Sequence, residues 1–477
     1  MKVLLAPLAA TLLAALCHAS TAAADTLHDI YAMALENDPQ LRAAEATYRA
    51  NIELEKQALA AMLPQLSGEA SYREQDIKTT REGVITSPTG DLGLARQTTR
   101  LDTHSTIWSV GLSQRLFDLP TWCTFRSGKE TTRQAEAQLA HDQQTVIVRV
   151  AETYLNVLRA LDNLHASEAE ERATRRQLEQ TQQRYDVGLV AITDVHEAQA
   201  AYDAVVVQRL TDEGGLATAY EALSRLTGRS HHNLWLLNKD FPVTDPEPMD
   251  RAQWVDFALA NNLALKAATY GTEASRQLAT ARRMEHAPKI TGSFVYSEEE
   301  LRGKQRAKPA SRFITDPDSD IDSEVFLVTL SMPLFTGGGI SSQRRQAHEQ
   351  YNATLQRSID TQRSIIEGTR ALHIAVTTDV QRIKAREQGI ISAQSALDAT
   401  QAGYEVGTRN VVDVLQAQRV LFTAMRDYAN ARYDYITNLF KLKQAAGTLS
   451  PEDLIGLNQW LVEPDSPTAN TYQDYQS

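Results

Sequence analysis

The chain is written twice. Ala34-Leu35 followed by Leu41 returns as Ala258-Leu259 followed by Leu265, at an offset of 224 in the numbering. Pro64, Leu66, Gly68 and Tyr72 return at that offset as Pro288, Ile290, Gly292 and Tyr296. Leu112, Leu116 and Phe117 return as Leu330, Leu334 and Phe335 at 218, and from Val146/Ile365 through Gly188/Gly407, Asp194/Asp413 and Gly228/Gly447 the offset is 219. A full-length tandem repeat constrains the fold more than any single motif, because each order of elements must be adopted by both halves. The largest change of offset falls in the polar stretches 75–100 and 298–323, read here as loops, which tolerate changes of length.

Each half reads helix, strand, polar loop, strand, very long helix, tip, helix. A first helix is expected from about Leu27 to Ala61, interrupted at Asn37-Asp38-Pro39, where proline suits the first position of a new segment. Pro64 and Pro288 end the helical patterns and force extended geometry on the residue before them. The long helices carry Val146, Val150, Thr153, Val157, Leu161 and Leu164, and Ile365, Leu372, Val376, Val380 and Ile383, at three- and four-residue steps, the spacing of coiled coils. About 65 residues of this pattern make roughly 100 Å of helix. Return helices are expected from Val195 to Leu226 and Val414 to Ala446, with Gly214-Gly215 a weak point and Gly228 and Gly447 as C-caps. The expected organisation is a leader at 1–24, a first repeat at 25–228, a linker at 229–250, a second repeat at 251–447 and a helix with a polar, disordered tail at 448–477.

Four segments alternate with period two. Leu66, Gly68, Ala70 and Tyr72 share one face; Trp108, Val110, Leu112 and Leu116, then Ile290, Phe294 and Tyr296, then Phe326, Val328, Leu330, Met332 and Leu334 do the same. Alternating segments of eight to twelve residues suit membrane β-strands, although a half-buried soluble sheet alternates identically. The leader described next, with Trp108 and Trp122 near candidate interfaces, favours the membrane. Backbone groups cannot stay unpaired in lipid, so membrane strands must close into a barrel. Four strands cannot close alone; two copies would supply eight and three would supply twelve.

Lys2, the apolar run Val3 to Leu16 and Ala22-Ala23-Ala24 form a secretory signal, with cleavage expected after Ala24. Cys17 invites a lipoprotein reading, which the bulky Leu16 before it disfavours. Without the leader only Cys123 remains, so no intramolecular disulfide is possible. The net charge of −12, which becomes −13 when Lys2 leaves, argues against nucleic-acid binding. No later segment has the apolar length of a membrane helix. His231-His232 lacks metal-ligand spacing, and no phosphate loop, nucleophile elbow or zinc-protease motif occurs, so neither catalysis, metal nor cofactor is expected.

The tips carry what chemistry there is. Tyr185-Asp186-Val187-Gly188 leads after five residues to Asp194-Val195, as Tyr404-Glu405-Val406-Gly407 leads to Asp413-Val414. With Glu197 and Gln416 three residues on, Asp194 and Asp413 read as N-caps in capping boxes, and Gly188 and Gly407 as helix ends. That account leaves the differences between the tips unexplained: Arg409 occurs only in the second and Thr193-Asp194 only in the first. If hairpins pack side by side, Tyr404 and Arg409 of one could bond Asp194 and Thr193 of another, a breakable charge-assisted link.

The chain resembles the TolC family of outer-membrane channels over nearly its whole mature length. The matching stretches are Val187-Gly188-Leu189-Val190-Ala191-Ile192-Thr193-Asp194-Val195, Val406-Gly407-Thr408-Arg409 with Val412-Asp413-Val414-Leu415, and Ala429-Asn430-Ala431-Arg432-Tyr433. Leu63-Pro64-Gln65-Leu66 and Ala151-Glu152-Thr153-Tyr154 with Asn156-Val157-Leu158 agree as well. The resemblance implies a mainly α fold with a small β contribution: duplicated antiparallel helical hairpins forming an α-barrel, and four membrane strands per chain giving a twelve-stranded barrel in a homotrimer. It implies outer-membrane lipid as surroundings, and a periplasmic adaptor (membrane fusion protein) with an inner-membrane pump of RND or ABC type as partners. By position the family's gate falls on Gln177, Thr193, Asp194, Gln401, Tyr404 and Arg409, with neutral Gln401 standing in place of an acid. The pore constriction falls on Asp413 and on Gln416, which replaces a second acid, and adaptor contact falls on Gly188 and Gly407. The implied function is a passive exit duct for efflux or type I protein secretion. A periplasmic coiled-coil adaptor or a pore-less stalk is the alternative, but an adaptor would carry one hairpin and lack the four strands.

Overall fold

A computed structural model of the chain describes residues 24–87, 89–310, 314–464 and 466. The expected leader and most of the polar tail lie outside these residues. The elements run α1 (Leu27–Asn37), α2 (Pro39–Ala60), β1 (Gln65–Thr86), β2 (Leu92–Phe117), α3 (Leu119–Asp186), α4 (Ile192–Thr227), β3 (Leu236–Leu237), α5 (Arg251–Asn261), α6 (Leu263–Arg283), a 3-10 turn (Met284–His286), β4 (Lys289–Lys308), β5 (Ser319–Ser331), α7 (Gly339–Glu405), α8 (Val411–Ala445), α9 (Pro451–Asn458) and β6 (Leu461–Val462). No helix among the described residues is long and apolar enough to cross a membrane. The chain divides into two compact units, one of residues up to Ala44, Ala140–Asn262 and from Ser364 onward, the other of Glu45–Leu139 and Leu263–Arg363.

The second unit holds one antiparallel sheet in the order β1-β2-β4-β5, so β1 and β5 are unpaired edges. Its strands are longer than the alternating segments predict: β1 has 22 residues, β2 26 and β4 20. The stretches 75–100 and 298–323 are therefore mostly strand, not loop; Gln75 pairs with Thr103 and Thr86 with Leu92. These stretches are mostly polar, with only scattered apolar residues such as Ile77, Val84, Leu94 and Ile321, so pairing continues where the regular alternation of hydropathy stops. The corner from β2 into α3 is built by side chains. Asp118 accepts from the Thr121 amide and hydroxyl at 3.3 and 2.8 Å, and Arg115 donates to the Thr121 hydroxyl at 2.7 Å. The corresponding corner into α7 is built by backbone freedom, with Gly337 and Gly338 at φ 64° and 83°.

In the first unit six of the predicted coiled-coil positions, Val146, Val150, Val157, Val376, Val380 and Ile383, are buried, while Thr153, Leu161, Leu164, Ile365 and Leu372 are half-buried. Val150 and Val157 of α3 and Val376 and Val380 of α7 are fully buried, with Leu27 and Ile30 of α1, Leu223 of α4, Ile436 and Leu442 of α8 and Leu454 of α9 in the same core. Tyr154 is fully buried, and its hydroxyl donates to the Trp235 carbonyl at 2.7 Å, which satisfies the one polar atom its burial strands. The segment after α4 is held by the two-residue pairing of β3 with β6 and by His231, whose Nδ1 meets Asp25 at 2.7 Å and whose Nε2 meets Thr227 at 2.6 Å. The histidine thus has a structural explanation. The first helix breaks where expected, with Asp38 extended at ψ 114° before Pro39. Helix α4 runs through Gly214-Gly215 without a break.

Candidate functional site

Both tips turn by the same backbone device. Gly188 donates to Tyr185 O and Leu189 to Arg184 O, each at 2.8 Å; Gly407 donates to Tyr404 O at 3.2 Å and Thr408 to Gly403 O at 2.8 Å. This is the paired bonding of a Schellman ending, and it needs the left-handed φ of 79° and 80° that the two glycines supply. A Cβ at either glycine would meet nothing within 4 Å, so the turns stand open.

The return helices start three residues earlier than the capping-box reading places them, which corrects the role of both aspartates. The N-caps are Ala191 and Asn410; Asp194 and Asp413 lie inside the first turn. In the second tip Asn410 accepts from the Asp413 amide at 2.9 Å and Asp413 accepts from the Asn410 amide at 3.3 Å. That is a reciprocal box. In the first tip Ala191 has no side-chain oxygen, and the half-buried Asp194 carboxylate has no hydrogen bond or ion pair among the described residues. Capping therefore accounts for Asp413 and not for Asp194. Ala191→Asn should supply the missing cap and stabilise the first tip by about 1 kcal/mol. Slower hydrogen exchange at the amides of Thr193 and Asp194 would register it; unchanged exchange would count against the capping account.

The remaining predicted residues fall into two groups. Tyr404, at the end of α7, is 7% exposed and packs in one core cluster with Leu397, Val411 and Val414. The Arg184 guanidinium covers its ring at 4.5 Å from the centroid, while its buried hydroxyl has no hydrogen-bond partner. A cation over a ring face in this way is attracted by the ring's electron density. Arg409 lies 3.8 Å from Asp413 and is otherwise exposed, as are Thr193 and Gln416. Within one chain no described contact joins Asp194 or Thr193 to Tyr404 or Arg409. Gln177 and Gln401, by contrast, line one cleft of about 360 Å³ between α3, α7 and α8, together with Gln394 and Gln418. The Gln177 amide nitrogen and the Gln394 and Gln418 amide oxygens are buried there without partners. Next to the cleft the Glu170 carboxyl is pushed up by burial and pulled back by Arg426, 3.3 Å away, the usual contest between desolvation and an opposite charge.

Sequence reasoning missed Arg184 and Asn410. Asn410 carried a usable signal, since it stands three residues before an acid at a helix start. Arg184 carried none, because its partner Tyr404 lies in the other half of the repeat. No cluster of three or more potential metal ligands occurs among the described residues.

The sequence profile of the family described as "Outer membrane efflux protein" matches residues 30–229 and 254–448. The chain is 36% identical to Outer membrane protein TolC of Vibrio cholerae over 442 residues, covering 92% of this chain and 94% of that protein. It is 27% identical to the Alkaline protease secretion protein AprF of Pseudomonas aeruginosa, covering 90% of this chain and 85% of that one. The crystal structure of the outer membrane protein VceC of Vibrio cholerae shares the fold, with a TM-score of 0.70 at 19% identity over 88% of this chain and 96% of that chain. Two repeats of strand pair and long helical hairpin, a match to the family profile in each repeat, and identity of this extent together make the chain a member of the outer membrane efflux protein family.

Proposed function

We propose that the protein is a passive exit duct of the outer membrane, serving efflux, type I secretion or both, assembled from three copies and opened at the hairpin tips by an adaptor and an inner-membrane pump. One observation carries the membrane reading. On the outward face of the sheet the apolar band nearest the helices stops at an aromatic on each strand: Phe326 on β5, Tyr296 on β4, Trp108 on β2 and Tyr72 on β1, with Val84, Leu92 and Leu94 returning only at the far hairpin. Phe326 pairs with Phe294, Tyr296 with Val110 and Trp108 with Ala70, so this limit climbs two residues at each strand. Two residues are about 6.6 Å against a strand spacing of about 4.8 Å, a slope of roughly 50°. Strands tilted close to the usual barrel angle, ringed by aromatics at one level, are what an interface with a bilayer requires.

Closure supports the trimer. The edges of β1 and β5 must find partners in lipid, and the only strands available in identical copies are each other. Outer-membrane fractionation with crosslinking tests this: a heat-sensitive trimer is expected, and a monomer in the soluble fraction overturns it. Cleavage after Ala24 belongs to the same proposal, and N-terminal sequencing of the membrane protein should begin at Asp25.

The gate we propose draws on the Asp194 carboxylate, the Tyr404 hydroxyl and the Gln177 amide nitrogen, which lack partners within one chain. The Asp194 carboxylate and Thr193 hydroxyl of one copy receive Tyr404 and Arg409 of its neighbour, Gln177 bonds Gln401 neutrally, and the open turns at Gly188 and Gly407 receive the adaptor. Asp413 and Gln416 line the constriction below. With three carboxylates there instead of six, cation block is weak. Gln416→Asp should strengthen block by divalent cations by about tenfold in planar bilayers, since one more carboxylate per copy faces the ion in a narrow space. Unchanged block would remove these two positions from the pore.

A further inference from the structure

The sheet continues well past its aromatic line. On β4 the outward-facing positions after Tyr296 are Glu298, Glu300, Arg302, Lys304, Arg306 and Lys308, two acids and then four cations in an alternating row. Register brings more cations beside them: Lys78 of β1 pairs with Arg100 of β2, and Arg100 pairs with Arg306. Three cations thus stand directly opposite one another across three strands, an arrangement that destabilises a sheet where no acid covers it; the acids of the sheet cover only the central one, Arg100, and Asp102 also stands opposite Lys304 in the register. Arg100 is held by Asp76 at 2.5 Å and Asp102 at 3.3 Å, and Arg302 by Asp320 at 2.6 Å. Lys78, Lys304, Arg306 and Lys308 are exposed and form no ion pair among the described residues.

From this we infer that the outward face around Arg306, with Lys78, Lys304 and Lys308, docks a phosphorylated glycolipid of the outer leaflet. The inference rests on the proposed membrane barrel, and the order of charges selects the partner. Directly above the aromatic line stand acids: Glu74, Glu298, Glu300, Asp322 and Glu324. An anionic phospholipid, whose phosphate lies at that line, would meet the acids and never reach the cations. Arg306 lies ten residues beyond Tyr296 and Lys78 six beyond Tyr72. At the slope above, these are heights of about 10–20 Å, the level of a glycolipid's saccharide rather than its acyl chains. Phosphate groups on those sugars would neutralise the uncovered cations, the guanidinium of Arg306 offering two parallel donors and the lysines point charges.

The test uses the full chain purified in its assembled form in detergent, titrated with rough-type lipopolysaccharide, the same glycolipid after dephosphorylation, phosphatidylglycerol and inorganic phosphate. Lys78→Gln, Lys304→Gln, Arg306→Gln and Lys308→Gln together should weaken binding of the intact glycolipid on the order of 100-fold. Wild-type protein should bind the dephosphorylated form as weakly. Binding by the quadruple variant within about twofold of wild type, or equal binding of phosphatidylglycerol or equal competition by inorganic phosphate, would overturn the inference. Lys304→Gln with Lys308→Gln reads the same surface with about a tenfold loss if the larger variant does not assemble. Without glycolipid the quadruple variant should be more heat-stable than wild type, because the repulsion is gone, a sign that a merely structural role for these cations would reverse. Channel formation in pure phospholipid bilayers separates the readings. If wild type forms no channel there, the barrel fails; if it does and ignores the glycolipid, only this inference fails.

Discussion

Tyr404→Phe combined with Arg409→Glu should shift the protein from closed to open and raise its single-channel conductance severalfold, with a matching leak of antibiotics into cells that carry it. The size follows from the number of links. A hydrogen bond to a charged group contributes about 1.5–3 kcal/mol, and three copies multiply whatever one copy loses. The sum exceeds the roughly 5.5 kcal/mol that carries a two-state equilibrium from 1:99 to 99:1. Phenylalanine keeps the ring beneath Arg184 and the packing on Val411 and Val414, so the substitution removes the hydroxyl alone. In the proposed gate, glutamate at 409 sets an acid toward Asp194, where arginine would have been received. Planar-bilayer recordings decide the matter. Conductance equal to wild type, in a variant that still assembles, removes Tyr404 and Arg409 from the gate.

Gly447→Ala should be far more damaging than the same change at the other repeated glycines. Gly447 has φ 71°, and an added Cβ would lie 2.5 Å from the carbonyl carbon and oxygen of Asn261 and 2.8 Å from the amide nitrogen of Asn262. A left-handed alanine costs about 1–2 kcal/mol, and displacing backbone that cannot rotate away adds about 1–3 kcal/mol more. Against a typical domain stability of about 5–15 kcal/mol this removes a large share of the margin and should lower the accumulation of folded protein. Gly188→Ala and Gly407→Ala have only the first cost, because nothing stands near either position. Gly228, the repeat partner of Gly447, is intermediate, its nearest neighbour being the Asn37 side chain at 3.8 Å. Thermal unfolding of the four variants checks the order; Gly447→Ala melting together with Gly188→Ala would refute the packing argument.

The repeat, the helix break before Pro39 and the coiled-coil faces of α3 and α7 were legible because each is a local pattern in hydropathy or turn residues. The outer halves of the strands were not. From Glu74 to Thr103 the stretch is mostly polar, so the pairing that continues there leaves no regular alternation to read. The two aspartates misled for a related reason: an acid three residues into a helix and an acid at its cap look alike unless the residue before is weighed, and Ala191 and Asn410 differ in that respect alone. The contacts that pair the two halves, such as Arg184 on Tyr404 or the Gln177 cleft, join distant stretches of the sequence. Spacing within one half cannot reveal them, and only the resemblance to a family placed Gln177 in a candidate site.

The open edges of the sheet also bear on the life of a newly made chain. A lone copy exposes Phe326, Leu330 and Leu66 to water on one face and the unpaired backbone of β1 and β5 at its sides. It is unsuited to water by its surface and to lipid by its edges, so no resting place exists for it in either phase. In the proposed trimer, entry into the membrane and the meeting of copies are then a single event, whose rate climbs steeply with the concentration of chains.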